Sequence, residues 1–336
     1  MQAARVPSAG ADFELVDLPI PEPAANEVRV KVEACGICHS DAFVKDGTFP
    51  GLEYPQVPGH EVAGVVDKVG ADVTAWQEGQ RVGVGWHGGH CFTCEACRAG
   101  DFINCENAKV TGISFDGGYA EYMCAPQEAV AALPDDLDFA EAAPLLCAGI
   151  TTYNALRNAG AGPGDLVAVQ GIGGLGHLAV QYAATFGFEV AALSRGTDKQ
   201  DLASDLGADH YIDTTADDPA EVLQAHGGAK VILATAPNSK AISQLPGGLG
   251  RDGTLMIVAA SGEPIEVSPM NLIMGRRSVQ GWPSGTADDS EDTLDFSALT
   301  GIAPMIETYP LSKANEAYDR MINNEARFRV VLEPSA

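Results

Sequence analysis

Cys91, Cys94, Cys97 and Cys105 bring four thiols into one short segment at spacing C-x2-C-x2-C-x7-C. Four thiolates so placed can close around one tetrahedral ion, and zinc is its usual occupant. The residues between them are polar, with too few apolar side chains to fold the loop without a metal. The competing reading is a pair of disulfides in a secreted domain. Met1 to Gly10 lacks the apolar core of a secretory signal, which disfavours it. A shell of four protein sulfurs leaves no open coordination position, so the site is structural and the chemistry must lie elsewhere.

The 336 residues are enough for two domains with their own cores. No apolar run approaches the roughly 18 residues of a membrane span, and with cysteines clustered for metal the chain is expected in a reducing cytoplasm. The net charge is −26, from 46 acidic against 20 basic residues, eight of them Lys. Such a surface makes nucleic acid and anionic membranes poor partners. It also repels itself at low ionic strength, which predicts a protein suited to high salt (halophilic).

The first part of the chain is rich in strands and turns. Apolar residues alternate over 12–33 (Phe13, Leu15, Val28, Val30, Val32) around a break at Pro19, Pro21 and Pro23, which predicts short strands. Further strands are predicted over 62–69 and 81–84, and a turn at Gly117-Gly118 opens another. This composition points to a β-barrel-like domain. From Phe139 the pattern changes. Helical spacing runs over 139–158, then an apolar run at 165–170 reads as a buried parallel strand. Strand-like runs recur at 189–193, 210–212, 230–235 and 254–259 with helix-like stretches between. That alternation predicts a doubly wound parallel sheet. After Thr286 the chain is acidic, then helical over 313–323, and ends in a strand at 329–333 that is expected to return to the first domain. The domains expected are 1–148 with 284–336, and 149–283.

Gly171-Ile172-Gly173-Gly174-Leu175-Gly176 follows a predicted strand and opens a predicted helix, the context a dinucleotide-binding motif requires. Gly171 would allow the tight turn, Gly173 the approach of pyrophosphate, and Gly176 close helix packing. An NAD site carries an acid about 20 residues on, at the end of the second strand. Here that end reads Leu193-Ser194-Arg195-Gly196. Ser194 can donate to a 2′-phosphate, Arg195 can pair with it and Lys199 adds charge, which favours NADP(H). The competing reading leaves Arg195 as a solvated surface residue, and Asp198 lies beyond the strand end.

A catalytic metal needs three protein ligands and one open position. Outside the cysteine loop the candidates are Cys38, His60 and Cys147. Spacing alone leaves Cys147 open between ligand and small core residue, and Cys35 and Cys124 read as core. His87 and His90 read as solvated, His177 as packed, and His210 and His226 carry no signal. Trp86 and Trp282 read as core; lining a pocket, they would favour aromatic or bulky apolar substrates.

Taken in order, Cys38-His39-Ser40-Asp41, Val57-Pro58-Gly59-His60-Glu61, the four loop cysteines and Pro144-Leu145-Leu146-Cys147-Ala148-Gly149 resemble the zinc-dependent medium-chain alcohol dehydrogenases. The likeness is strongest to microbial and cinnamyl-alcohol-type NADP members and runs over nearly the whole chain. It implies a GroES-like catalytic domain made from both chain ends, with a Rossmann domain inserted. It also implies that Cys38, His60 and Cys147 hold a catalytic zinc, distinct from a structural zinc in the cysteine loop. Glu61 matches an acid beside that zinc, and Asp41 the carboxylate that fixes the ligand imidazole, a role also expected on general grounds. Ser40 matches the hydroxyl that bonds the reacting oxygen, His39 a neighbour of the cofactor pyrophosphate, and Thr151 a neighbour of the nicotinamide. Phe43 stands where some members carry a histidine that ends a proton relay. The proton must therefore leave Ser40 by another path, through cofactor ribose and water or through His39.

The expected activity is NADP(H)-dependent hydride transfer between a small alcohol and its aldehyde, with two zinc ions per chain in a homodimer or homotetramer. The competitors are a zinc-free quinone or enone reductase of the same fold and a non-enzymatic NADPH- or zinc-binding protein. Seven placed ligands and Ser40 beside them weigh against both. The charge of −26 weighs against a nucleic-acid role for the zinc loop.

Overall fold

The computed structural model describes residues 1–334, and the chain forms two units: Met1–Ile150 with the chain from Gly285 onward, and Thr151–Ser284. The second unit holds six parallel strands: β1 (Leu166–Gln170), β2 (Glu189–Ser194), β3 (His210–Asp213), β4 (Ala229–Ala234), β5 (Leu249–Ile257) and β6 (Ser278–Gly281). Their order across the sheet is β3-β2-β1-β4-β5-β6. The direction of winding reverses between β1 and β4, the place where such sheets bind dinucleotides. All of β1 is buried, which is why it reads as an unbroken apolar run with no alternation. Edge strand β6 is largely exposed and has no apolar pattern to betray it.

The turn after β1 depends on glycine at two points. Gly171 has φ +91°, in the left-handed region. A Cβ on Gly176 would lie 1.7 Å from the Gly171 carbonyl oxygen, so only glycine lets the helix Gly176–Thr185 start that close to the loop.

The first unit is a seven-stranded, mainly antiparallel sheet built around Glu27–Ile37. One edge of this strand pairs with Val62–Val69. The other pairs with Tyr122–Pro126 near its start and with the C-terminal strand Arg329–Glu333 near its end. Burial alternates from Glu27 to Ala34, then Cys35, Gly36 and Ile37 are all buried where the strand runs into the candidate site. Val28, Val30, Val32, Val62, Val82, Val84, Tyr119 and Met123 fill the core below it.

Besides β6, other elements have no counterpart in the sequence reading, two of them in the last fifty residues. Strand Ile306–Pro310 runs parallel to Arg329–Glu333. The acidic stretch after Thr286 is a helix, Ala287–Thr300, whose Thr286 and Asp289 side chains cap its start reciprocally. Its buried residues are Ser290, Thr293, Leu294 and Ser297, too small and polar to show an apolar period.

Candidate active site and metal centres

Strand Glu27–Ile37 delivers Cys38 to a short 3-10 turn, His39–Asp41. A reciprocal cap sets that turn: the Ser40 N–H donates to Cys38 Sγ at 3.5 Å, and the Cys38 N–H donates to Asp41 Oδ2 at 2.8 Å. Cys147 lies in a π-helical turn, Leu145–Gly149, directly after Pro144. Such bulges interrupt the regular ladder and re-aim side chains, often at functional sites. The helical run expected over 139–158 is therefore present but broken at the residue that matters.

One ligand atom from each of Cys38, His60, Glu61 and Cys147 lies within 4.8 Å of the others. The two sulfurs are 3.7 Å apart. Two sulfurs bound tetrahedrally to zinc at about 2.3 Å would be separated by about 3.8 Å. His60 is 2% exposed, and its Nε2 is a buried nitrogen with no hydrogen-bond partner. Its Nδ1 lies 3.2 Å from Asp41 Oδ1. In that contact Nδ1–H donates to Asp41, which leaves the Nε2 lone pair free for an ion, the usual arrangement behind a metal-bound imidazole. Sulfur spacing, orphaned nitrogen and donor chemistry all fit a zinc ion. Spacing alone left Cys147 open between ligand and core residue; the fold brings its sulfur within reach of the other candidate ligand atoms.

The charges of this cluster are coupled. The hydrogen bond from Cys147 lowers the Cys38 thiol well below its ordinary range, against the effect of burial and with help from His60. The same bond, with burial, raises Cys147. Burial alone would lower His60, but the Asp41 carboxylate outweighs it and raises the imidazole. Burial pushes Glu61 up to about 7, opposed by Arg329.

Two neighbours were invisible to sequence reasoning, and a third was read as core with pocket lining as its alternative. Arg329, on the returning C-terminal strand, pairs with Glu61 Oε1 and donates to the Ile37 carbonyl at 3.0 Å. It leaves Glu61 Oε2 without a partner, beside the ligand cluster. Tyr119 donates to Asp41 Oδ2 at 2.9 Å, so that carboxylate accepts from Cys38, Tyr119 and His60. Half-buried Trp86, read as core, stands edge-on to His60 with ring centroids 5.0 Å apart. Ser40 is half-buried and His39 exposed in the same turn. Asp41→Asn should keep the fold and cost about 10- to 100-fold in activity or metal affinity, because the amide no longer fixes the imidazole as a carboxylate does. Steady-state rates beside metal content would check it, and an unaltered variant would remove Asp41 from the site.

Cys91, Cys94, Cys97 and Cys105 form the second ligand group, again with ligand atoms within 4.8 Å. Cys94 Sγ and Cys105 Sγ are 3.9 Å apart. Backbone N–H groups aim at the sulfurs: Cys91 and Asn107 donate to Cys105 Sγ at 3.3 Å each, and Cys94 to Cys91 Sγ at 3.4 Å. Hydrogen bonds led by Thr93 hold Cys91 down at about 5, within reach of the thiolate form. His87 departs from expectation. It is buried, with His90 stacked against it and half-buried under Phe102. Cys124, read as core, is half-exposed.

In the second unit the glycine loop is held from three sides. Lys199 Nζ donates to the Ile172 carbonyl at 2.6 Å, His177 Nδ1 to Gly173 O at 2.8 Å, and Thr235 Oγ1 to Gly171 O at 3.0 Å. His177, expected only to pack, thus also ties its helix to the loop. Ser194 ends β2 half-buried, and Arg195 after it is exposed, with no ion pair among the described residues. The nearby acid Asp213 faces Ser194 in register and is already used. It accepts from Thr215 Oγ1 at 2.7 Å, Thr215 N at 2.9 Å and Gly196 N at 2.7 Å, contacts that lower its pKa. Thr151 is buried at the start of this unit.

The family model described as "Alcohol dehydrogenase GroES-like domain" matches residues 24–135, and that described as "Zinc-binding dehydrogenase" matches residues 174–298. The chain is 48% identical over 323 residues to alcohol dehydrogenase patD of Penicillium expansum, covering 96% of this chain and 94% of that one. It is 39% identical over 335 residues to an alcohol dehydrogenase of Geobacillus stearothermophilus, covering 99% of each. Its fold matches a cinnamyl alcohol dehydrogenase of Sorghum bicolor with TM-score 0.91 at 32% identity, over 100% of this chain and 98% of that one. With relatives of this likeness along its whole length, and two ligand groups spaced for zinc, the chain belongs to the zinc-dependent medium-chain alcohol dehydrogenases.

Proposed function

We propose that this alcohol dehydrogenase works with NADP(H), interconverting a small alcohol and its aldehyde. The observation that carries the cofactor reading is the end of β2. It offers Ser194 and Arg195, which has no ion pair among the described residues, while Asp213 opposite is engaged by Gly196 and Thr215, in a chain where acids outnumber bases 46 to 20. Such a guanidinium in so acidic a protein is suited to a 2′-phosphate. Gly171 to Gly176 would carry the pyrophosphate on backbone N–H groups, with His39 and Thr151 as further cofactor contacts.

Cys38, His60 and Cys147 would hold one zinc and the four loop cysteines a second. The first supplies a Lewis acid for the alcohol or aldehyde oxygen. Asp41 fixes the imidazole, and Glu61 keeps Oε2 beside the ligands while Arg329 holds its other oxygen. Ser40 Oγ passes on the substrate hydroxyl proton, and Phe43 offers no side-chain acceptor for the next step. Trp86 beside His60, with Phe49 at 6.4 Å from it, favours an aromatic or bulky apolar substrate. Eight free cysteines suit a reducing cytoplasm, and the family likeness suggests a homodimer or homotetramer.

Initial rates of benzaldehyde reduction with NADPH and NADH, in molar KCl, test this reading. NADPH should be preferred. Arg195→Ala should cost about 10- to 100-fold in kcat/KM with NADPH, the worth of a charged hydrogen bond, and little with NADH. Faster turnover with NADH would discard the cofactor assignment and keep the dehydrogenase. Lys199→Ala separates two roles for that residue. Because it braces the Ile172 carbonyl, KM should rise for both cofactors; a loss confined to NADPH would make it a phosphate ligand only. Omitting KCl should slow the enzyme, and indifference to salt would argue against a salt-adapted surface.

A further inference from the structure

Glu189, His210 and His226 converge on the surface of the second unit, away from both cysteine-containing groups in the sequence. Glu189 opens β2 and His210 opens β3, and the parallel register sets His210 opposite Ala191. His226 closes the helix Pro219–Ala225. Glu189 Oε1 lies 2.7 Å from His210 Nε2, and the two imidazole rings are 4.3 Å apart, tilted by 49°. One ligand atom of each residue lies within 4.8 Å of the other two. Glu189 and His226 are exposed and His210 is half-buried, so all three can meet an ion from solution. The adjacent Asp209 is committed elsewhere: its Oδ2 accepts from the Val190 N–H at 2.8 Å.

We propose that Glu189, His210 and His226 form a third divalent-metal site. Two imidazole nitrogens and one carboxylate oxygen suit Zn2+, Ni2+ or Cu2+ and are a poor set for Mg2+ or Ca2+. The hydrogen bond between Glu189 and His210 already holds two of the donors together. On binding, the Nε2 proton of His210 is exchanged through water for one on Nδ1, so the ring stays neutral, and each imidazole and the carboxylate donate a lone pair to the ion. Without thiolates and open to water, the site exchanges its ion more readily than the cysteine groups do. The net charge of −26 raises the local concentration of cations.

The site's place in the fold says what the ion does. Its ligands come from two neighbouring strands and the end of a helix, so an ion ties together three elements of the sheet's edge. A ligand that binds only the folded chain stabilises it by mass action. Glu189 and Ser194 stand at opposite ends of β2, about 17 Å apart at the usual strand rise. The ion therefore stabilises the unit without touching the cofactor.

The test titrates Zn2+, near neutral pH and by calorimetry, into enzyme whose cysteine-containing sites are already filled. Wild type is compared with His226→Ala and Glu189→Gln. Wild type should bind a further equivalent, weakened at least about tenfold in each variant. Zinc should also raise the unfolding temperature of wild type and not of the variants, while NADPH-dependent turnover stays alike in all three. No further equivalent, or one whose affinity is unchanged in either variant, overturns the site, the second result meaning that zinc binds elsewhere on the acidic surface.

Discussion

Cys147→Ser is expected to lower kcat/KM by on the order of a thousandfold, about 4 kcal/mol of transition-state stabilisation, and to remove one metal equivalent while the other stays. The residue sits in the π-helical turn with its sulfur 3.7 Å from Cys38 Sγ, and serine nearly preserves its volume. The turn should therefore keep its shape, and far-ultraviolet circular dichroism should match wild type. The two readouts separate ligand from core residue. A buried packing cysteine would lose some stability and no metal. Full activity with unchanged metal content would take Cys147 out of the site.

The second large effect is expected in stability. Arg329 is 4% exposed and Glu61 is fully buried, and the two are paired. Arg329→Met leaves the Glu61 carboxylate buried without its cation and strips a donor from the Ile37 carbonyl, which accepts from it at 3.0 Å. Breaking a buried pair from one side costs about 3–5 kcal/mol. In a unit of this size that lowers the melting temperature by roughly 10 °C. Adding Glu61→Gln removes the stranded charge, so the double variant should recover part of the loss, a coupling that distant sites would not show. Thermal melts of the four proteins decide it. A single variant melting with wild type would mean that water, not Arg329, satisfies Glu61.

Activity should respond differently to the same pair. Arg329 lies behind Glu61 and touches none of Cys38, His60 or Cys147 by hydrogen bond, so it acts as a positioning residue. A cavity-tolerant variant at this position should change metal retention before it changes cofactor KM, because the glycine loop is braced by its own contacts from Lys199, His177 and Thr235.

What could be read in the sequence was local. The four-cysteine loop works through spacing over a few residues, and a tetrahedral ion tolerates little variation in it. The glycine motif works through one turn, and the strands of the parallel sheet betray themselves because burial on both faces leaves unbroken apolar runs. Cys38 and Asp41 sit in one capped turn, so their association is also nearly local. Edge strand β6 and the helix Ala287–Thr300 escaped notice for the opposite reason. An exposed strand and a helix packed on small polar residues carry no hydrophobic period.

Tertiary structure decided what depends on residues far apart in the chain. The pairing of Arg329 with Glu61 exists because the last strand lies against Ile37 and Cys35, and nothing in either residue's neighbourhood announces it. Tyr119 reads as part of the strand that the Gly117-Gly118 turn opens, and only the fold puts its hydroxyl on Asp41. Glu189, His210 and His226 carried no pattern at all, since parallel pairing of β2 with β3 and the closing helix residue bring them together. Spacing records which groups the backbone can bring together within a turn. Only the register of distant strands determines which charges share a buried space, because that register is set by packing summed over a whole sheet.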